Sequence, residues 1–127
     1  MKETKEIINP NQIKIQDINL IKINYKSEKA YVTIPVLYPN GSTTIITIKS
    51  DSKHHYTISD DGNAYFIAET MGIKDTFLES ATKTASNLGV NFIENHFVLK
   101  QIPFNRIEGA MIYVANASAI SIYRCTI

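Results

Sequence analysis

Apolar and polar positions alternate along Ala30-Tyr31-Val32-Thr33-Ile34-Pro35-Val36-Leu37, with Val32, Ile34 and Val36 on one side. A period of two is that of a half-buried strand. Pro35 has no backbone donor, which predicts an edge position or a bulge. Tyr38-Pro39-Asn40-Gly41-Ser42 contains Asn-Gly, the two-residue signature of a type I′ hairpin. The β-branched run from Thr43 to Lys49 returns as the partner strand, and His55 to Ile58 closes a small antiparallel β-meander.

After Gly62 the period lengthens. Ala64, Ile67, Ala68 and Met71 recur at helical spacing, which predicts a short amphipathic helix ended by Gly72. Thr76-Phe77-Leu78-Glu79 fits a capping box, with Thr76 as N-cap. The second helix it opens buries Phe77, Leu78, Ala81, Ala85 and Leu88 and stops at Gly89. Asn91 to Glu94 and Phe97 to Lys100 flank Asn95-His96, a second hairpin. Asn105 to Glu108 repeats the N-cap pattern and opens a third helix with Ile107, Met111, Val114, Ala115 and Ala119 inward. Alternation from Ile120 to Ile127 predicts a change to strand at the end. Residues 7–25 fit a helix or an irregular strand, and satisfy neither period cleanly. The sum is an α+β domain: a small antiparallel β-meander followed by two helices, a β-hairpin and a C-terminal helix. The 127 residues suit a single domain, 1–127, with 1–27 alternatively an N-terminal extension.

Composition narrows the function classes. An apolar fraction of 44% and a charged fraction of 20% are those of a globular protein, and a net charge of +1 argues against bulk electrostatic binding of nucleic acid. The first 57 residues carry eight Lys against five acids, and the remainder carry five bases against seven acids. That asymmetry reads as a solvated surface or as a weak phosphate-facing patch. Isoleucine, asparagine and lysine number 21, 11 and 11, against two arginines, a bias expected of AT-rich codons. Arg106 and Arg124 are too few to build the bidentate surface by which nucleic acids are usually read. A single cysteine, Cys125, excludes an internal disulfide and a multi-cysteine zinc site. No run approaches the ~20 apolar residues of a membrane span, and the N-terminus lacks a signal-peptide core. The expected setting is cytoplasmic, or inside a host cell's cytosol, with no membrane partner.

The order of these features, carried by Ile58-Ser59-Asp60-Asp61-Gly62, Met71-Gly72-Ile73, Leu88-Gly89-Val90 and Phe97-Val98, resembles the bacterial and phage domain-of-unknown-function family numbered 1828. The resemblance spans roughly residues 30–120. It implies the α+β fold and a phage or mobile-element setting, and brings no catalytic residues. The family usually has a hydroxyl residue two positions after the glycine, where this chain has Ala64.

Candidate chemistry centres on Asp60 and Asp61. Two carboxylates at a strand end suit a divalent cation in phosphoryl transfer. The structural alternative is a corner in which Ser59, Asp60 or Asp61 caps the following helix and Gly62 supplies backbone freedom. Asp51-Ser52-Lys53 has the acidic-x-Lys spacing of a nuclease strand, with Asp17 or Glu28 as an upstream acid, although it looks like a turn. His54, His55 and His96 match no zinc spacing, and Cys125 has no base near in sequence. Tyr25, Tyr31, Tyr38 and Tyr56 cluster in the β half, where exposed tyrosines favour interfaces. The expectation is a non-catalytic, cofactor-free binding protein of a phage or mobile element. It would inhibit or regulate a host or defence protein, docking through Tyr31, Tyr38, Tyr56, Asp60 and Asp61, with a homodimer at the Pro35 edge as a further option. The alternatives are a metal-dependent nuclease at Asp60 and Asp61, and a nucleic-acid-binding regulator.

Overall fold

A computed structural model describes residues 22–26, 29–52 and 54–126. In chain order the elements are β1 (Lys22–Lys26), β2 (Lys29–Leu37), β3 (Thr43–Ser52), β4 (His55–Ser59), α1 (Asn63–Thr70), α2 (Lys74–Asn87), β5 (Asn91–Ile93), β6 (His96–Pro103), a 3-10 turn (Phe104–Arg106) and α3 (Ile107–Thr126). The strands form one six-stranded sheet in the order β1-β2-β3-β4-β6-β5, antiparallel at each pairing. The α+β expectation holds. Of the ambiguous stretch 7–25, the end is strand β1, and 7–21 lie outside the described residues, as do Asp17, Glu28 and Lys53.

Alternation decides the layers. Ala30, Val32, Ile34, Ile46, Ile48 and Ile58 are buried on one sheet face, against the helices. α3 lies across that face, in contact with β2, β3, β4 and β6, and α1 and α2 pack beside it. Its buried side holds the expected Ile107, Met111, Val114, Ala115 and Ala119, together with Ser118, Ser121 and Ile122. Phe77 of α2 meets Phe92 and Phe97 edge-on, at ring separations of 5.6 and 6.2 Å, and so ties α2 to β5 and β6.

Several local expectations are corrected. The loop after β2 is not a type I′ turn: Gly41 N donates to Tyr38 O at 2.9 Å, and the positive φ falls on Gly41, at 90°, with none on Asn40. Pro39, with φ fixed near −65°, suits the second position of a type I turn, and the glycine follows as a bulge. Asn40 Oδ1 accepts from Ser42 N at 3.0 Å and Ser42 Oγ at 2.7 Å, which fixes the loop. Pro35 is exposed within a β2 register shift, and among the described residues β1 pairs with β2 from Lys29 to Thr33. The bulge frees the Val36 carbonyl, which accepts from Thr44 Oγ1 at 2.8 Å. Among the described residues the outermost strands are therefore β1 and β5, and β2 is an inner strand.

The helices differ in their ends. α2 starts at Lys74, and Thr76 is not its N-cap. The reason lies in the preceding turn. Ile73 N donates to Ala68 O and Gly72 N to Glu69 O, a Schellman stop for α1, while Ile73 O already accepts from Phe77 N. One residue ends α1 and begins α2, which leaves Thr76 inside the helix. Met71 and Leu78 are 39% exposed, not buried. Asn105 sits in the 3-10 turn, which has no side-chain cap. The second hairpin turns at Glu94-Asn95, both at positive φ, so His96 belongs to β6. The chain from Ile120 to Thr126 is helix, because Ser118, Ile122 and half-buried Cys125 keep the helical period against the core.

Candidate functional site

The Ser59-Asp60-Asp61-Gly62 corner joins β4 to α1. Asp61 and Gly62 take positive φ values of 57° and 80°, so the chain reverses there and the two carboxylates part. Asp60 points inward and is 1% exposed, whereas Asp61 is exposed. Asp60 Oδ1 accepts from Gly62 N at 2.9 Å and Phe97 N at 3.0 Å, and Oδ2 accepts from Ala64 N at 3.2 Å and Ser118 Oγ at 2.7 Å. Those four donors occupy the lone-pair positions of a carboxylate. The Ser118 proton is committed to Asp60, so Tyr38 Oη must donate to Ser118 Oγ, at 2.6 Å. The result is a relay, Tyr38 to Ser118 to Asp60, that ties the β2–β3 loop, α3, the corner and β6 together. Burial pushes the Asp60 carboxyl above the usual range, and the bonds from Ser118, Gly62, Ala64 and Phe97 pull it back. Burial likewise pushes the Tyr38 phenol up to about 12.

Ser59 Oγ accepts from Asp61 N at 2.8 Å and pins the corner from the other side. Gly62 is fixed by its left-handed φ and by His96, whose ring would lie 3.0 Å from an added Cβ. The corner therefore serves the helix start and the fold, and Asp60 has no open lone pair for an ion. Among the described residues, no three His, Cys, Asp or Glu side chains cluster closely enough to hold a metal. Asp51 is engaged too: Oδ1 accepts from Thr57 Oγ1 and Oδ2 from Gln101 N, a β6 residue at positive φ.

The tyrosines separate. Tyr38 is in the core, and Tyr56, 8% exposed, packs against Phe104 with its phenol pushed up by burial. Tyr31 is half-buried on the opposite sheet face, between the inward Ala30 and Val32. That face holds a groove of about 230 Å³. Thr47, Ser59 and Val98 stand in register across β3, β4 and β6 and form its floor. Lys29, Lys49, Thr57 and Lys100 line one part, and Asp61, Ile93, Glu94 and His96 line the rest. Of the residues singled out from the sequence, Ser59, Asp61 and His96 reach this groove; Tyr31 stands opposite its Thr47 without lining it, and Asp60, Tyr38 and Tyr56 do not line it. The three lysines were missed by sequence reasoning. Their outward register on Lys29 and Lys49 was legible, but Lys100 joins them only through the β4–β6 pairing.

Comparison with protein-family models, with curated proteins and with solved structures finds no match to the chain.

Proposed function

We propose that this chain is a non-catalytic binding protein that docks a protein partner on the sheet face opposite its described helices, over Tyr31 and the adjoining groove. One observation carries the reading: the described helices share a single sheet face, leaving the other with a lined groove and outward side chains from β2, β3, β4 and β6. The engagement of Asp60 by four protein donors supports it, because the residue best placed for chemistry is consumed by architecture. In the phage or mobile-element setting that the family resemblance implies, such a protein would inhibit or regulate a host protein.

The test is affinity capture with tagged protein and two single variants. A partner held by the parent and by Ser86→Arg, on exposed α2 surface, but lost by Tyr31→Arg fits the proposal. A partner indifferent to Tyr31→Arg removes the sheet face as the docking surface.

A further inference from the structure

Lys29 and Lys49 are directly opposite each other in the β2–β3 register, and both line the groove. Directly opposed side chains on one face have Cβ atoms about 4.5–5.5 Å apart, and like charges there are destabilising. Lys100 adds a third ammonium group to the same lining. Among the described residues no ion pair neutralises any of the three. Asp51, two residues beyond Lys49 on β3, directs its two oxygens to Thr57 Oγ1 and to Gln101 N rather than to an ammonium group. The fold thus holds mutually repelling cations around a hydroxyl-lined floor, an arrangement that an external anion would relieve.

The rest of the groove decides which anion. The same lining includes Asp61 and Glu94, with Ile93, which is 43% exposed, next to Glu94 in the chain. A phosphate backbone carries unbroken negative charge and would run against those two acids. A polypeptide changes character from one side chain to the next. It can set carboxylates on the lysines and an apolar or cationic group by Ile93 and Asp61. We propose that the groove receives an acidic segment of a protein partner, with its carboxylates taken up by Lys29, Lys49 and Lys100. This rests on the docking reading above and specifies the partner's chemistry.

The experiment uses the full chain, labelled with ¹⁵N, and three probes: a peptide repeating Glu-Leu-Ser, its Gln-for-Glu counterpart, and an oligodeoxythymidine. The expected result is amide shift changes at Thr47, Lys49, Thr57 and Lys100 with the Glu peptide, and roughly tenfold weaker binding of the Gln peptide. Lys49→Gln and Lys100→Gln each weaken the Glu peptide while keeping the denaturation midpoint equal or higher, since repulsion is relieved. Equal binding of the two peptides, shifts confined to another surface, or tighter binding of the oligonucleotide overturns the inference. Capture separates the two levels. A partner lost by Tyr31→Arg yet kept by the Lys49→Gln/Lys100→Gln double variant leaves docking on this face intact and removes the acidic segment. Indifference to Tyr31→Arg removes the docking reading itself.

Discussion

Asp60 shows how one buried side chain can organise several elements, because its four donors come from the corner, α1, β6 and α3. Replacing it by asparagine substitutes an amide donor for one acceptor oxygen, so that two donors face a donor. Each unpaired buried donor costs about 1–3 kcal/mol, and Asp60→Asn should lower the urea midpoint accordingly. Tyr38 supplies the pH prediction. Its folded value of about 12 lies above the ordinary 10.0, so the folded state holds the proton more tightly. That contribution is fully present below pH 10 and is lost as pH rises toward 12, by about 2–3 kcal/mol in total. Tyr38→Phe should lose about 1 kcal/mol below pH 10 for the Ser118 bond, and should then stay flat through this window while the parent falls. Parallel profiles for the two proteins would contradict the assignment.

At the scale of elements, the helix stops and the corner both rely on left-handed glycines, yet for different surroundings. Gly72, at φ 75°, has nothing within 4 Å of an added Cβ, whereas Gly62, at φ 80°, would press on His96 at 3.0–3.1 Å. Gly72→Ala should therefore show only the backbone cost, about 1–2 kcal/mol. Gly62→Ala should cost more, and adding His96→Ala should return part of the difference. Equal losses for the two glycines, measured by thermal unfolding, would mean that the ring yields freely. The turns teach a related lesson. Asn-Gly after β2 was legible as a hairpin, but Pro39 one residue earlier selects the type I turn and bulge actually formed. Thr76 carried a sound capping pattern, overridden because Ile73 had already supplied the first carbonyl of α2.

For the whole molecule, the division of the sheet into a helix-covered face and a grooved face separates structure from proposed function. Acids that a nuclease would use are dispersed: Asp60 faces the core, Asp61 the groove, and Asp51 holds the β6 bulge at Gln101. Plasmid DNA incubated with the parent and Mg²⁺ or Mn²⁺ should stay supercoiled. Nicking that disappears in Asp61→Ala would reverse that conclusion.

Periodicity along the chain determined most of the elements, because burying one stripe or one pleat face is a local property of the pattern. It gave the meander, the glycine stops and the inward residues of α3. It also offered capping as one reading of Asp60, since an acid before a helix start is a short-range feature. It could not name Phe97 and Ser118 as the other donors, or join Lys100 to Lys49. Those pairings depend on β6 being placed against β4 and on α3 crossing the sheet. Contacts between distant segments are set by the packing of the whole core, which no local window of sequence contains.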